Sequence, residues 1–469
     1  MTNKKTTTNN ITDENSKTKI IRKNFDFVEP LKLYGLLRDE GINPFILESR
    51  DKHYSKARFT YISANPEFIV NIKNKTKIDN STYSNNSNPF QSLKEISNEM
   101  NVNIENLDSK ERFIGGFLGY FAYDCIHNYI GGNIEEPSVF GYYNSVFVYD
   151  HTYKRYYYLT HNNSPEELKN AEAIIKRAKN YEIVEEKDGG SNLAGCDASK
   201  EEHYKMVEKA KEYIYEGDAF QVVISKEFRV NSDYSPFKVY KNLREINPSP
   251  YMFLLEFENK SLVGASPETM ASVENNILQI NPIAGSTKVG KTDEESKKLA
   301  ELLLKDEKER AEHMMLVDLA RNDVRKVCKS GSVELQSFFK VLKYSHIQHI
   351  ESEVIGELRN NYSSYDAIEA AFPAGTLTGA PKYRAMEIID EIEKSRRKAY
   401  GGAVGYFSPN GCADTAITIR TAEMEKDGTI RLRVGGGIVA DSEPENEYLE
   451  TERKIAAVMR AFDIVSEYR

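Results

Sequence analysis

The sequence predicts an α+β fold built from antiparallel strands and amphipathic helices. Short runs of β-branched and aromatic residues between polar turns are typical of sheet strands, and three stretches of the first half show them: Phe45–Asn74, Phe113–Tyr123 and Val146–Thr160. In the second half, three further segments alternate or sit beside short turns: Met252–Phe257, Ala413–Thr421 and Thr429–Val434. Such strands favour antiparallel pairing over a strictly parallel βαβ sheet.

The chain divides into a tail, two units and a linker. Residues 1–20 are rich in Thr, Asn and Lys and poor in large apolar groups, which predicts a disordered tail. An N-terminal unit follows over residues 21–184, and the charged, glycine-bearing stretch 185–198 predicts a linker. The second unit covers residues 199–469. Helices are predicted near the unit borders, at Pro165–Lys179, Lys200–Glu216 and Glu445–Glu467.

Composition narrows the class of protein. The 469 residues, 40% of them hydrophobic, can bury a large core. A net charge of −9 argues against non-specific binding to nucleic acid or to anionic membranes. Since no apolar run reaches about 18 residues and the polar N-terminus lacks a signal-peptide core, we expect a cytoplasmic protein. The four cysteines lack CxxC spacing, which predicts free thiols in a reducing compartment.

A glycine-punctuated, hydroxyl-rich loop, Pro373–Lys382, runs into a predicted helix over Lys382–Glu393. Small residues let backbone N–H groups approach a ligand closely, and the positive end of a helix favours a carboxylate or phosphate. The stretch therefore predicts an anion cradle that includes Thr376. An ordinary loop before a core helix remains the alternative.

The segment Gly285–Thr292 fits the GxxxxGK[ST] pattern by letter, and Asp318 ends an apolar run as a magnesium-binding Asp would. A P-loop nucleotide hydrolase is therefore one hypothesis. Its context disagrees, because Pro282 interrupts the segment that would have to be a central strand. The run before Asp318 also continues a helical periodicity, which indicates a core face instead.

Two pairs of carboxylates lie three residues apart on predicted helices. Glu309 and Glu312 share one helix face, and Glu447 and Glu450 share another. If the two helices meet, the four carboxylates supply the hard oxygen ligands that Mg²⁺ prefers. The alternative is that these are solvated charges, with Lys454 as the helix partner of Glu450.

Other polar residues stay ambiguous when taken singly. Arg420 follows an alternating strand, where a guanidinium can grip a carboxylate or form a surface ion pair. His346 and His349 can serve in proton transfer or be structural histidines. Gly435, Gly436 and Gly437 can bring backbone amides to a ligand or form a tight bend.

The order of motifs in the second unit closely resembles that of the chorismate-utilising enzymes, and in particular the anthranilate synthase large subunits. The motifs are Ser266–Glu268, Asn281–Ser286, Glu312–Asp323, the Pro373 loop, Gly401–Tyr406 and Gly437–Ser442. The likeness covers roughly Ser199 to the C-terminus, and Leu47–Ser49 and Gly115–Tyr120 match more loosely. It implies antiparallel sheets packed face to face, flanked by helices, with two intermingled subdomains.

The resemblance also implies site residues. Glu312 and Glu450 would bind Mg²⁺, supported by Glu309 and Glu447, and the metal would hold the ring carboxylate of chorismate. Arg420 and Tyr400 would hold the enolpyruvyl carboxylate, and Lys454 would lie near a substrate carboxylate. His349 would be the acid-base group of the later pyruvate elimination, with Glu309 and Thr376 as further catalytic residues. The pocket would be completed by Gly285, Ser286, Thr376, Gly435, Gly436 and Gly437.

Two positions discriminate within the family. Isochorismate and salicylate synthases carry a water-activating Lys where this chain has Gln221, and glutamine cannot be that base, so the resemblance implies ammonia as nucleophile. Many aminodeoxychorismate synthases carry a nucleophilic Lys where this chain has Ala284, although some members of that group lack it. Anthranilate is therefore the favoured product, with aminodeoxychorismate as the alternative. At Ser286 the family usually has Thr, a departure expected to change packing more than hydrogen bonding.

The resemblance implies a regulator and a partner as well. Two segments resemble the tryptophan-binding site of feedback-inhibited enzymes, through Glu48, Ser49, Asn247, Pro248, Ser249, Tyr251, Met252 and Phe253. The alternative is that both segments only join the two units, and an inactive tryptophan-sensing homologue is a further hypothesis. None of the four cysteines sits in the Gly-x-Cys-x-Gly setting of a glutamine amidotransferase. We therefore expect a separate small amidotransferase subunit, in a hetero-oligomer.

Overall fold

The computed structural model describes residues 18–50, 58–102, 104–105, 111–161, 164–186, 189–343 and 347–465. Its helices, in chain order, are α1 (Pro30–Glu40), α2 (Pro89–Met100), α3 (His127–Ile130), α4 (Pro165–Asn180), α5 (Lys200–Tyr215), α6 (Pro236–Ile246), α7 (Asp293–Leu303), α8 (Glu307–Val327), α9 (Ser364–Ala371), α10 (Gly375–Thr378), α11 (Lys382–Ile392) and α12 (Pro444–Arg460). A 3₁₀ turn covers Tyr123–Ile126. Within these described residues, no helix is both long and apolar enough to cross a bilayer.

The strands of the first unit are β1 (Thr18–Lys19), β2 (Ile21–Phe25), β3 (Phe45–Glu48), β4 (Phe59–Ser63), β5 (Phe68–Ile72), β6 (Thr76–Ile78), β7 (Ser81–Ser84), β8 (Ile104–Glu105), β9 (Gly116–Phe121), β10 (Ser138–Tyr143), β11 (Ser145–Asp150) and β12 (Arg155–Thr160). Those that follow are β13 (Ser191–Cys196), β14 (Gln221–Ser232), β15 (Tyr251–Glu256), β16 (Lys260–Ser266), β17 (Thr269–Glu274), β18 (Ile277–Ile280), β19 (Ile283–Lys288), β20 (Glu334–Lys343), β21 (Ile347–Glu357), β22 (Gly379–Ala380), β23 (Ala403–Phe407), β24 (Ala413–Ile417), β25 (Thr421–Glu425) and β26 (Ile430–Ile438).

Within the described residues, two 12-stranded sheets organise the fold, and the strand pairs inside them are antiparallel. Sheet I has the order β13-β14-β26-β25-β16-β15-β3-β4-β11-β12-β2, with β22 beside β14. Sheet II has the order β19-β21-β18-β17-β24-β23-β9-β10-β5-β6-β7, with β20 beside β21. Both sheets mix the two sequence units, because β3 pairs with β15 and β9 pairs with β23.

The core lies in three layers. Between the sheets, buried residues of sheet I such as Phe253 and Leu262 pack with residues of sheet II such as Leu118 and Val404. On the outer face of sheet I lie α1, α4, α6 and α12, and on that of sheet II lie α2, α8 and α9. This arrangement confirms the predicted α+β fold, with face-to-face antiparallel sheets, flanking helices and intermingled units.

Several predicted boundaries change in the structure. The predicted strand Ala413–Thr421 is two strands, β24 in sheet II and β25 in sheet I, because Arg420 takes a left-handed φ of 52° that ends the extended run. The last helix ends at Arg460. Within the predicted linker, Ser191–Cys196 forms β13 at the edge of sheet I. Residues 1–17 of the predicted tail and His346 lie outside the described residues, while Thr18–Lys19 pairs with Ile104–Glu105.

Candidate functional site

Two neighbouring turns carry the chain from one sheet to the other, and they form the floor of the candidate site. The turn after β16 contains Glu268, and the turn after β24 contains Arg420. Because β16 pairs with β25 and β17 pairs with β24, the two turns lie side by side. Backbone bonds join them: Ala265 N–H donates to Arg420 O at 3.2 Å, and Ile417 N–H donates to Glu268 O at 3.1 Å. We call the surroundings of these turns the crossover site.

Two helices bring carboxylates to the crossover site from opposite layers. The helix α8 packs on β19 and β21 of sheet II and carries Glu309 and Glu312. Its start is fixed by Asp306, whose Oδ1 accepts from the N–H groups of residues 308 and 309 at 2.9 and 3.1 Å. The helix α12 packs on β26 of sheet I and carries Glu447 and Glu450.

The four carboxylates influence one another across the site. Burial, and then the charge of Glu312, raise the pKa of Glu309, and the charge of Glu450 on the other helix adds to this. Burial also raises the pKa of Glu447, with a contribution from Glu450. Among the residues that the structure describes, however, no three His, Cys, Asp or Glu side chains are grouped closely enough to hold a metal ion.

The donor chemistry at these helices nonetheless fits Mg²⁺. All four groups are carboxylates, the oxygen ligands that this hard cation prefers. Carboxylates that raise one another's pKa values repel each other across the site. A bound divalent cation would neutralise that repulsion. The four predicted ligands are thus brought to one region, and their role in metal binding stays a prediction.

Strand β26 reaches the carboxylates through its three consecutive glycines. A Cβ on Gly436 would lie 3.4 Å from an oxygen of Glu447, and a Cβ on Gly435 would lie 3.1 Å from the Tyr400 hydroxyl. Gln221 on the neighbouring strand donates from Nε2 to Glu312 Oε1 at 3.0 Å. Its Oε1 atom is buried and has no hydrogen-bond partner among the described residues. The glycines therefore let polar groups approach the backbone closely.

Glu268 is a half-buried carboxyl at the centre of the crossover site. Thr376 Oγ1, from the predicted anion loop, donates to Glu268 Oε1 at 2.8 Å. Burial raises the pKa of Glu268 to about 7, against the opposing effects of the Thr376 bond and of the nearby Lys454 and Arg420 charges. A carboxyl with this pKa carries a proton in much of the neutral range, so it can act as an acid.

Three cationic or hydroxyl groups line the same site. Burial lowers the pKa of Arg420, which lies near Tyr400, Glu450 and Glu268. Burial raises the pKa of Tyr400 to about 12, so its hydroxyl keeps its proton. Lys454 pairs with Glu450 and donates to Gly435 O at 3.3 Å. These groups together can receive an anionic ligand.

His349 on β21 closes the opposite side. Its Nδ1 lies 2.9 Å from Gly285 O, which fixes the N–H on that nitrogen because a carbonyl only accepts. Burial lowers the pKa of His349, so the ring is neutral near pH 7. Gly285 has φ 65°, and a Cβ there would lie 2.9 Å from Glu309 Oε2. Ser286 is paired with His349 across the strands but is exposed.

Residues 285–292, all of which the structure describes, form no phosphate cradle. Thr292 caps α7, with its side chain accepting from Glu295 N–H at 3.1 Å. The first turn of that helix holds Asp293, Glu294 and Glu295, whose charges repel a phosphate. Asp318 is exposed and pairs with Arg321 at 3.0 Å.

Apart from the crossover site, a cavity of about 320 Å³ lies between the two sheets, and we call it the inter-sheet cavity. Five of the eight residues predicted to bind tryptophan line it: Glu48, Ser49, Tyr251, Met252 and Phe253. The other three, Asn247, Pro248 and Ser249, form the turn between α6 and β15 and are not among the lining residues. That turn is joined to the first unit by Arg50 N–H, which donates to Ser249 O at 3.1 Å.

The lining of the inter-sheet cavity is amphipathic. Aromatic side chains come from both sheets, including Tyr61, Phe253 and Tyr406. The carboxylate of Glu48 is 3% exposed and accepts from Arg244 Nε and Nη2 at 2.7 and 2.9 Å. A volume of this size with apolar walls and a few fixed polar groups suits a small amphipathic ligand.

Sequence reasoning missed two contributions. Glu268 belongs to the Ser266–Glu268 motif but was not predicted as a site residue, although an acidic residue directly after a proline at a strand end is a visible signal. It also missed the cavity walls of sheet II, such as Tyr406 and Asp414, because they depend on which strands face each other. Of the residues predicted for the metal and substrate sites, the four carboxylates and Thr376, Tyr400, Arg420 and Lys454 lie at the crossover site, and their roles stay predictions.

Comparisons with known proteins show the family to which this chain belongs. The chorismate binding enzyme family matches residues 42–460. Anthranilate synthase component 1 of Thermococcus kodakarensis is 56% identical over 437 residues, which cover 93% of this chain and 98% of that protein. The corresponding protein of Archaeoglobus fulgidus is 50% identical, with the same coverage.

Solved structures share the fold of this chain. Anthranilate synthase component I from Streptococcus pneumoniae TIGR4 is similar with a TM-score of 0.76 and 34% identity, covering 86% of this chain and 92% of that one. The menaquinone-specific isochorismate synthase MenF of Escherichia coli has a TM-score of 0.74 at 16% identity and 94% coverage of both chains, which is a likeness of fold alone.

Proposed function

Because this chain belongs to the chorismate-binding enzymes, we propose that it is the chorismate-converting component of an anthranilate synthase. The reaction is amination of chorismate at C2 with loss of the C4 hydroxyl as water, followed by elimination of the enolpyruvyl group as pyruvate. The observation that carries the proposal is the convergence of Glu268, Arg420 and His349 at the crossover site. An acid, an anion-binding group and a neutral base are the groups that these two steps require.

The acid of the first step is Glu268. Loss of a hydroxyl requires a proton, and the raised pKa of Glu268 keeps that proton available up to about pH 7. Thr376 holds the carboxyl in place through its 2.8 Å hydrogen bond. Arg420 and Tyr400 then orient the substrate by receiving a carboxylate.

The base of the second step is His349. With the Nδ1 proton committed to Gly285 O, the Nε2 nitrogen is the acceptor of the ring. It would remove the C2 proton as pyruvate leaves. The lowered pKa of His349 favours this neutral, proton-accepting form.

Ammonia is the proposed nucleophile. Water would need a base to activate it, and Gln221, which lies against Glu312, has no basic nitrogen. Ammonia attacks without such help, because it is already a nucleophile in its neutral form. A separate glutamine amidotransferase subunit would supply it in a hetero-oligomer.

Mg²⁺ bound by Glu312 and Glu450, with Glu309 and Glu447 beside them, would act as a Lewis acid at the ring carboxylate of chorismate. The same four residues otherwise repel an anionic substrate. Lys454, which pairs with Glu450, reduces that repulsion and lies close enough to Glu268 to lower its pKa.

Regulation by tryptophan is proposed at the inter-sheet cavity. Its aromatic walls suit an indole, and its polar groups around Glu48 and Ser49 suit the ammonium and carboxylate of an amino acid. The proposed reaction is an early step of tryptophan synthesis. Inhibition by the end product is useful at such a step.

The test incubates the purified chain with chorismate, Mg²⁺ and an ammonium salt, with and without EDTA. Anthranilate and pyruvate in equal amounts, lost on addition of EDTA, are expected. Aminodeoxychorismate without pyruvate would replace the proposal by the alternative synthase. No turnover with intact tryptophan binding would favour an inactive sensing homologue, and glutamine consumption by the chain alone would contradict the need for a partner.

A further inference from the structure

Tyr251 stands between the inter-sheet cavity and the crossover site. Its ring lines the cavity, and its hydroxyl lies 2.8 Å from Thr269 Oγ1 and 2.9 Å from Asp414 Oδ1. An ionised carboxylate only accepts, so the tyrosine proton is donated to Asp414. The Thr269 hydroxyl then donates to Tyr251. The three groups form a directed chain of hydrogen bonds at the cavity wall.

The same tyrosine is tied to both ends of the turn that carries Glu268. Thr269 follows Glu268 directly and begins β17 of sheet II. Ser266, on the other side of the turn, is the cross-strand partner of Tyr251 in sheet I, and its hydroxyl accepts from Glu268 N–H at 3.3 Å. A displacement of Tyr251 therefore acts on the turn from both sides.

We propose that Tyr251 and Thr269 are positioning residues for Glu268, through which a ligand in the inter-sheet cavity controls the reaction. The inference rests on the proposed function, since it takes Glu268 as the acid and tryptophan as the cavity ligand. Occupancy of the cavity displaces the Tyr251 hydroxyl, and Thr269 transmits the movement to the neighbouring carboxyl.

The groups that face Glu268 make such a movement detectable. Thr376 donates to it from the α10 loop, Arg420 faces it from the second crossover, and Lys454 faces it from α12. All three favour the ionised carboxylate. When the carboxyl moves away from Thr376, this support weakens and the pKa of Glu268 rises. Rate and pH profile therefore change together.

Two isosteric variants test the inference. Thr269→Val and Tyr251→Phe each remove one hydroxyl from the chain of hydrogen bonds and keep the shape of the side chain. Tyr156→Phe is the matched control, because the Tyr156 hydroxyl is buried and has no hydrogen-bond partner among the described residues. Anthranilate formation is measured against pH at a constant concentration of free ammonia, with and without saturating tryptophan. Calorimetry measures tryptophan binding separately.

We expect both variants to bind tryptophan and yet to keep at least about a fivefold higher residual rate at saturation than the wild type. Their rate should also fall off at a higher pH, whereas Tyr156→Phe should match the wild type. Variants that bind tryptophan, are inhibited as fully as the wild type and keep its pH profile would overturn the inference while leaving the proposed function intact. A wild type that makes no anthranilate, or that ignores tryptophan, would overturn the proposed function instead, and the inference with it.

Discussion

The crossover site and the inter-sheet cavity both contain residues of the two sheets, but they are built differently. The crossover site takes its charged groups, among them Glu268, Arg420 and Lys454, from turns and from two outer helices, so these side chains are aimed independently of strand register, whereas His349 lies on a strand. The cavity takes its aromatic walls from strands, where alternation decides which side chains face it, and residues outside the strands such as Ser49 complete the lining. Single substitutions can therefore change the charged groups of the crossover site one at a time, whereas the aromatic walls of the cavity depend on the pairing of whole strands.

The largest effect is expected from substitutions that disrupt the crossover site and leave the inter-sheet cavity intact. Glu312→Gln and Glu450→Gln each remove a proposed metal ligand, and we expect a loss of several kcal/mol of transition-state stabilisation, on the order of a thousandfold in rate. Tryptophan binding should survive. Steady-state rates over a Mg²⁺ series measure this, with the exposed Glu307→Gln and Glu445→Gln as controls on the same helices. Near-normal turnover in both variants would remove the metal assignment.

The next largest effect tests the role of Glu268 in the turn after β16. Glu268 is protonated below its raised pKa of about 7 and loses that proton as the pH rises, while His349, with its lowered pKa, is charged only in acid. The profile of kcat/KM should therefore rise as His349 deprotonates and fall above about pH 7. Glu268→Gln should cost about a hundredfold in rate and abolish the basic limb. A basic limb that persists in this variant would assign it to another group.

A smaller effect is expected from a substitution that disrupts the inter-sheet cavity alone. Ser49→Leu adds side-chain volume at the cavity wall, and the resulting overpacking should weaken tryptophan inhibition by about 1–3 kcal/mol, or about 5- to 150-fold. The uninhibited rate should change much less than the inhibition constant. Inhibition curves measure both, and the exposed Ser81→Leu serves as control. Unaltered inhibition would place tryptophan elsewhere.

The smallest effect lies at the rim of the crossover site. Ser286 is exposed, so Ser286→Thr adds a methyl group in open surroundings and keeps the hydroxyl. We expect the change in unfolding free energy to stay within about 0.5 kcal/mol. Rates should stay similar. A large change in KM for chorismate, measured by steady-state kinetics, would show that Ser286 contacts the substrate more closely than its exposure indicates.

Local patterns in the sequence predicted much of the fold. The helix predicted from Lys382 to Glu393 is observed from Lys382 to Ile392, because its apolar spacing and its core face coincide. The antiparallel pairing followed from short turns. The break at Arg420 could not be predicted, since a left-handed residue between two strands depends on the sheets that they join.

The candidate site likewise contains residues that the sequence indicated and contacts that it did not. Residue types and helical spacing indicated Glu309, Glu312, Glu447 and Glu450, and the resemblance to a family supplied their partners. Neither revealed that Tyr251 joins the cavity to the turn of Glu268, because a contact between strands in different sheets has no spacing in the sequence.

The mixing of the two units within each sheet has a consequence for divided chains. Separated at residues 185–198, the first unit would expose the backbone edges of β3 and β9, and the second would expose those of β15 and β23. Exposed strand edges of this kind readily form hydrogen bonds with a strand of another chain. Neither fragment should therefore stay folded alone. Two fragments produced together should restore activity by completing each other's sheets. The chain could then serve as a split reporter in which assembly and catalysis are the same event.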